Sequence, residues 1–165
     1  MLEIKRLAKY HDRKSFDCGD KTLNEFLQKY AHQHAERGIS RTFVLTDKGN
    51  PKKILGYYIL TLCDVIPNNI PDSRLKRYPH PIPAVKLARL AVCFHNQGNG
   101  IGEQLLLNAM ERSVAISENA GVVGLFVDAK NDAAAGYYIK YGFIPTENDP
   151  LVLFLTMASI RQSFD

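Results

Sequence analysis

Hydrophobic positions recur with two different periods along the chain and predict an alternation of strands and helices. Apolar runs of strand length lie at 2–7, 41–46, 54–62, 85–94, 122–129 and 151–157. A helix is expected after Asp20, a good N-cap residue, and its apolar spacing stops at Gly38. Prolines between 67 and 83 exclude a regular helix there. With no linker and no repeat, we expect one domain over residues 1–165.

Composition limits the classes of protein to consider. The chain has 165 residues with 45% hydrophobic and 10% aromatic content, which suffices for a core and excludes disorder. No run has the length of a membrane span, and the N-terminus lacks the apolar stretch of a signal peptide, so we expect a cytoplasmic protein without membrane contact. The cysteines, Cys18, Cys63 and Cys93, are odd in number and widely spaced, so neither a disulfide framework nor a metal site is expected.

A glycine-rich segment, Gln97-Gly-Asn-Gly-Ile-Gly102, follows an apolar strand and precedes a predicted helix. Glycines let the backbone turn sharply and approach a ligand, while the first amides of a helix attract anions. The segment therefore predicts a pyrophosphate cradle, although a tight turn alone would also need glycine. A dinucleotide-binding fingerprint would need its third glycine at position 103, which is Glu103. A nucleoside triphosphate site of the Walker type would need Gly-Lys-Ser/Thr at the end of the loop, and this sequence lacks it.

Two motifs resemble those of one enzyme family. Gln97, Gly100 and Gly102 fit the cofactor-loop pattern Gln/Arg-x-x-Gly-x-Gly/Ala of the GNAT superfamily of acetyl-CoA-dependent N-acetyltransferases. Downstream, the segment from Asn131 to Phe143 fits the pattern Asn-x-x-Ala-x-x-x-Tyr-x-x-x-Gly-Phe at every defined position. The order of elements is also similar. The resemblance implies a GNAT acyltransferase fold of mixed α/β type, with a mostly antiparallel sheet, splayed central strands and helices on both faces.

The same resemblance assigns roles to residues. It implies that Tyr138 donates a proton to the departing thiolate and that Asn131, besides capping its helix, contacts the cofactor. The pantetheine arm of acetyl-CoA is expected on the backbone of Leu90, Ala91 and Val92. The pyrophosphate is expected on the backbone of Gln97, Gly98, Asn99, Gly100, Ile101 and Gly102.

Cys93 and His95 are an alternative source of chemistry. They are expected to alternate onto one strand face beside the cofactor loop, where such a pair could carry an acetyl group covalently. A buried cysteine is more often a small hydrophobe, and the resemblance implies direct transfer. We therefore favour direct transfer.

Charge bears on the acetyl acceptor. No acidic residue lies between Asp72 and Glu103, and the net charge is +4. The interval contains the basic residues Arg74, Lys76, Arg77, Lys86 and Arg89. They would steer an anionic acceptor toward the cofactor loop, although a solvated surface is the plainer explanation. The run 85–94 has no carboxylate to act as a base. This favours an α-amine as the acceptor, because an α-amine is substantially unprotonated at physiological pH whereas a lysine side chain is not. His95 is an alternative base, which would leave lysine possible.

The N-terminal third narrows the resemblance. Its segments Phe16-Asp-Cys-Gly19, Leu23-Asn24-x-Phe26-Leu27 and Arg41-Thr42 are similar to the toxin branch of GNAT enzymes, and so is Arg89-Leu-Ala-Val92 before the cofactor loop. Enzymes of that branch acetylate the α-amino group of aminoacyl-tRNA and are neutralised by a ribbon-helix-helix antitoxin. The resemblance therefore implies these two partners, and it also implies a homodimer. Gln97 replaces the commoner arginine of the loop. A small-amine or peptide N-acetyltransferase is the alternative, and the intact Tyr138 argues against a silent binding module.

Overall fold

The computed structural model describes residues 1–65 and 81–164. Within these residues the strands are β1 (Leu2–Arg6), β2 (Arg41–Asp47), β3 (Gly56–Val65), β4 (Ile82–Val92), β5 (Gly124–Asp128), β6 (Ile144–Pro145) and β7 (Val152–Thr156). They form a sheet in the order β1-β2-β3-β4-β5-β7-β6. The pairs β1–β2, β2–β3, β5–β7 and β6–β7 are antiparallel, whereas β4 and β5 are parallel.

All helices except the last occupy the predicted places. They are α1 (Lys21–Glu25), a π-helical turn (Phe26–Tyr30), α2 (Ala31–Glu36), α3 (Ile101–Asn119), α4 (Asp132–Ile139) and α5 (Met157–Gln162). Asp20 caps α1 by accepting hydrogen bonds from the amides of Thr22 and Leu23, as its residue type predicts. Gly38, with φ of +70°, follows α2 in the left-handed conformation that ends many helices. Helix α3 is the crossover that a parallel β4–β5 pair requires.

The contacts divide the chain into two compact units. The first comprises residues 1–61 and 88–109 and has a core around Leu27, Val44, Tyr57 and Ile59. The second comprises 62–87 and 110–165, and its core includes Phe126 and Phe154, whose ring centroids are 4.6 Å apart. The expectation of a single domain over residues 1–165 stays a prediction.

Several boundaries differ from the predicted ones for local reasons. Strand β4 spans Ile82–Val92, so it starts and ends earlier than the apolar run suggests. Pro83 is tolerated at the second position of this strand, near its start, where a missing N–H is least harmful. Strand β7 ends at Thr156 because the Thr156 hydroxyl accepts a hydrogen bond from the Ser159 amide and caps α5, which the sequence pattern did not predict. No helix in the described ranges is long and apolar enough to span a membrane.

Candidate active site

The cofactor loop has the backbone that the glycine pattern predicts. Gly98 and Gly100 have φ of +83° and +81°, a region that L side chains rarely adopt. Helix α3 begins directly after them, with the Gln104 amide donating to the Gly100 carbonyl at 3.2 Å. A Cβ built on either glycine would meet nothing within 4 Å, so the space in front of the loop is open. The first amides of α3 belong to the helix end that attracts anions, which fits a pyrophosphate.

A glycine in β3 sets the position of this helix start. A Cβ on Gly56 would lie 2.9 Å from Leu105 Cδ1 and 3.2 Å from Ile101 Cγ2, both on α3. It would also lie 3.0 Å from the Ala91 carbonyl oxygen of β4. Glycine therefore allows the first turns of α3 to pack directly on the strands below. The sequence patterns did not single out Gly56. The one feature that could have indicated its role is a glycine inside a predicted strand, which often marks a close approach of another backbone or side chain.

The end of β4 carries the backbone expected to bind pantetheine. The ladder between β4 and β5 covers Val85–Leu87 only, although β4 extends to Val92. Ala91 is buried, whereas Leu90 and Val92 are half-buried. A parallel ladder that covers three residues and stops five residues before the strand ends is what splayed strands imply. The pantetheine assignment itself stays a prediction.

The side chain of Gln97 forms hydrogen bonds within the protein, whereas the sequence pattern predicted a role only for its backbone. Its Nε2 donates to the carbonyl of Cys18 and to the carbonyl of Val92, each at 3.0 Å. An amide nitrogen has two N–H donors, so both are used within the protein. The side chain therefore ties the cofactor loop to the Phe16–Gly19 turn and to β4, while its backbone amide remains part of the loop.

Helix α4 carries the second motif in the predicted register. Asn131 caps it, with its Oδ1 accepting from the Ala134 amide at 2.9 Å. The Phe143 amide bonds back to the Tyr138 carbonyl at 3.3 Å, and Gly142 has φ of +95°. These bonds end the helix and fold Phe143 back, so that its ring centroid lies 5.6 Å from that of Tyr138. Whether Asn131 also contacts the cofactor stays a prediction.

Tyr138 is the buried tyrosine of α4. Its side chain is 7% exposed and packs edge-on against the rings of Tyr137 and Phe143. Within residues 1–65 and 81–164, no hydrogen bond of the Tyr138 hydroxyl is recorded. Burial raises the pKa of Tyr138 well above that of a free tyrosine, and the neighbouring Tyr137 adds to the rise. The phenol is therefore protonated at neutral pH and able to donate a hydrogen bond.

The expected pairing of Cys93 and His95 on one strand face is wrong. Strand β4 ends at Val92, Cys93 precedes the 3₁₀ turn Phe94–Asn96, and His95 lies within that turn. Cys93 is buried in the core beside Cys18, whereas His95 is exposed with its ring edge-on to Phe94. The strand alternation that motivated a covalent Cys/His pair is therefore absent.

The basic residues expected to bind tRNA divide into three cases. Arg74, Lys76 and Arg77 lie outside the described residues. The Lys86 ammonium pairs with Asp128 at 2.7 Å, so the gap in acidic residues along the sequence is not a gap in space at this position. The Arg89 guanidinium lies 4.6 Å from the centre of the Phe26 ring, a cation–π contact that orients the group. Arg89 is therefore better placed than Lys86 to offer positive charge.

No group of three or more histidine, cysteine or carboxylate side chains in the described ranges is placed to hold a metal ion.

Comparison with known proteins identifies the family. A model described as an acetyltransferase (GNAT) domain matches residues 38–145, which include both motifs. The chain belongs to the GNAT acetyltransferase family. The fold expected from the sequence is thereby confirmed, and so is the enzyme class: the protein is an acetyl-CoA-dependent N-acetyltransferase.

Its relatives lie in the toxin branch of that family. The chain is 32% identical to the tRNA-acetylating toxin of Mycobacterium tuberculosis over 157 residues, covering 95% of this chain and 93% of that protein. The structure of AtaT complexed with acetyl-methionyl-tRNAfMet has a TM-score of 0.92, 33% identity and full coverage of both chains. The structure of an AtaT tyrosine-to-phenylalanine mutant, bound to the C-terminus of the antitoxin AtaR and to acetyl-CoA, has a TM-score of 0.84, 33% identity and coverage of 99% and 98%.

Proposed function

We propose that this protein is a toxin that transfers the acetyl group of acetyl-CoA to the α-amino group of an aminoacyl-tRNA and so blocks translation. The observation that carries the proposal is the similarity, over 95% of the chain, to a tRNA-acetylating toxin. Both motifs of the family have local geometry that supports it, since the cofactor loop is open and left-handed at Gly98 and Gly100 and Tyr138 is buried and protonated.

Each group of residues has a separate task in this proposal. When bound, acetyl-CoA supplies an acetyl group activated as a thioester. The backbone of residues 97–102 holds its pyrophosphate, and the edge of β4 at Leu90, Ala91 and Val92 aligns its pantetheine arm. Asn131 contributes by fixing the start of α4 through its hydrogen bond to the Ala134 amide.

The proton balance gives Tyr138 its role. The acceptor amine forms a new N–C bond and loses one proton to water, while the C–S bond breaks and the sulfur gains one proton. Tyr138 donates a hydrogen bond toward the sulfur as the C–S bond breaks, and water returns any proton that the phenol gives up. Because burial raises the pKa of this phenol, Tyr138 starts each turnover in the protonated form.

The acceptor follows from charge and from the absence of a carboxylate base. Residues 88–92 of β4 contain one charged side chain, Arg89, and no acid. An α-amine has a pKa of about 7.7–8.0 and is substantially neutral at physiological pH, whereas lysine, at about 10.4, would need a base. Arg89 offers its oriented guanidinium to a phosphate, and Arg74, Lys76 and Arg77 stay candidates for further phosphate contacts. The proposed protein works in the cytoplasm, where charged tRNA is found.

The partners of the proposed toxin are a separately encoded antitoxin and a second copy of the chain. The antitoxin is of ribbon-helix-helix type and suppresses the activity, and the active form is a homodimer. Size-exclusion chromatography with light scattering tests the homodimer, and growth rescue by co-expression of a candidate ribbon-helix-helix protein tests the antitoxin.

Transfer from labelled acetyl-CoA tests the function. Total charged tRNA is compared with deacylated tRNA, free polyamines and short peptides, and the product is identified as N-acetyl amino acid after alkaline release. We expect label in charged tRNA only. Label in polyamines or peptides at equal efficiency, with none in charged tRNA, would establish the small-amine alternative instead.

A further inference from the structure

The cofactor loop has few packing contacts of its own. Gly98, Asn99 and Gly100 are all exposed, and neither glycine has a neighbour within 4 Å of a built Cβ. Glycine loses more conformational freedom on ordering than any other residue. The shape of the loop therefore depends on how its two ends are held.

Its C-terminal end is held by burial. Ile101 is 4% exposed and sits at the first position of α3, above the glycine of β3 described earlier. Its N-terminal end has no such anchor, since Gln97 is itself exposed. What holds Gln97 is its side chain, through the bonds to the Cys18 and Val92 carbonyls.

The Cys18 carbonyl is in turn fixed by hydrogen bonds of its own turn. The Cys18 amide donates to Asn24 Oδ1 at 2.8 Å, and Asn24 Nδ2 donates to Asp17 Oδ1 at 2.9 Å. The Asp17 carboxylate also accepts from the Gly19 amide, and the Asp17 carbonyl accepts from the Phe94 amide at 2.8 Å. The turn is thus rigid where Gln97 attaches.

We propose that the Gln97 side chain is a positioning residue that orders the pyrophosphate loop before acetyl-CoA arrives, by tying the loop to the Cys18 carbonyl and to the end of β4. A loop already in its bound shape does not lose its freedom on binding, so the tether increases affinity without touching the ligand. This inference rests on the proposed pyrophosphate site at residues 97–102.

The test compares two glutamines of the same chemistry. Gln97→Met keeps the length of the side chain and removes both donors. Gln28→Met is the matched control, because Gln28 Nε2 also donates to two backbone carbonyls, that of Phe16 at 3.0 Å and that of Lys14 at 3.4 Å, and neither bond reaches residues 97–102. Calorimetry gives the Kd for acetyl-CoA, and steady-state kinetics separate KM from kcat.

We expect Gln97→Met to raise the Kd and KM for acetyl-CoA roughly 5- to 30-fold, the size of two hydrogen bonds, with kcat at saturation within about twofold of wild type. Gln28→Met should leave both constants unchanged. Hydrogen exchange without ligand gives a second readout: amides 98–102 should exchange faster in Gln97→Met and regain protection when acetyl-CoA saturates the protein.

Two results overturn the inference: a Kd for Gln97→Met within twofold of wild type, or an equal loss of affinity in Gln28→Met. The proposed site is tested separately with the wild-type loop. If wild-type protein binds acetyl-CoA but amides 98–102 gain no protection, the pyrophosphate assignment is wrong, whereas protection in the wild type with an unaffected Gln97→Met variant refutes only the tether.

Discussion

The cofactor loop, residues 97–102, and the tyrosine helix, α4 with Tyr138, are built in opposite ways. The loop is exposed, its key residues have no side chain, and its properties come from left-handed backbone at Gly98 and Gly100. The helix presents one side chain, Tyr138, that is buried against two other rings. Substitutions in the loop should therefore raise the Kd for acetyl-CoA, whereas loss of the Tyr138 hydroxyl should lower kcat. The predictions below test that division.

Tyr138→Phe should have the largest effect. The ring and its packing remain, while the hydroxyl is lost, so kcat should fall about 10²–10⁴-fold with little change in the Kd for acetyl-CoA. Toxicity on induced expression should disappear. Single-turnover kinetics with charged tRNA measure the first effect.

Tyr137→Phe is the control for that substitution. Tyr137 is half-buried, and its ring is tilted at 59° to that of Tyr141 with 5.2 Å between the ring centroids. Loss of the Tyr137 hydroxyl should leave kcat nearly unchanged. If both variants retain wild-type turnover, the proton comes from solvent and the tyrosine of α4 is structural.

Gly100→Val should break the loop and spare the helix. Valine is strained at φ of +81°, and its side chain would enter the open space expected to hold the pyrophosphate. We expect affinity for acetyl-CoA to fall about 100-fold, measured by calorimetry. Because Tyr138 is unchanged in this variant, kcat at saturation should not fall.

Gly38→Val separates strain from ligand binding. Gly38 has φ of +70° and, like Gly100, no atom within 4 Å of a built Cβ, but it lies after α2. Both variants should lower Tm by a similar few degrees, and only Gly100→Val should weaken acetyl-CoA. An equal loss of affinity in the two would mean that general destabilisation, not the cradle, explains the result.

The two described basic residues should differ in their effect on tRNA. Arg89→Ala should lower tRNA affinity about 3- to 10-fold and reduce the log–log salt slope by about 0.7–0.9. Lys86→Ala should do less than half of this, because Asp128 already neutralises the ammonium. Filter binding between 50 and 200 mM salt, about the range in which phosphate contacts are sensitive, measures both. A flat salt response in wild type would remove the basic surface from the proposal.

Acid should act on the support of the loop and not on the helix. Hydrogen bonds from the Gly19 amide and the Asn24 side chain lower the pKa of Asp17 below its ordinary value. A carboxylate with a depressed folded-state pKa stabilises the protein above about pH 3.9, the unfolded value, and loses that contribution as the pH falls through the folded pKa. Asp17→Asn should therefore be less stable than wild type at pH 7 and approach it in acid, once the pH has fallen through the folded pKa of Asp17. Urea midpoints at pH 7 and in acid measure the small difference, and a gap that is constant with pH would contradict it.

The sequence predicted what local chemistry determines. The left-handed glycines of the loop, the Asn131 cap and the register of Tyr138 all depend on near neighbours in the chain, and each has the expected local structure. The roles of these residues toward substrate stay predictions.

What the sequence could not supply depends on residues far apart in the chain. The ion pair of Lys86 with Asp128 and the bond of Gln97 to Cys18 join segments whose proximity only the fold creates. The Cys93–His95 pairing was wrong for a different reason: apolar Phe94 extended the hydrophobic run past Val92, where the strand ends and a 3₁₀ turn begins. Periodicity does not distinguish a strand residue from an apolar residue of the following turn.

The Gln97 tether also has a consequence for the order of folding. Its two ends are 79 residues apart in the chain, whereas the cap of the tyrosine helix closes over three. Contacts of long sequence separation form late because loop-closure entropy must be overcome first. We therefore expect a refolding chain to gain the protected amides of α4 before those of the loop, so that a refolded molecule acquires acetyl-CoA affinity last.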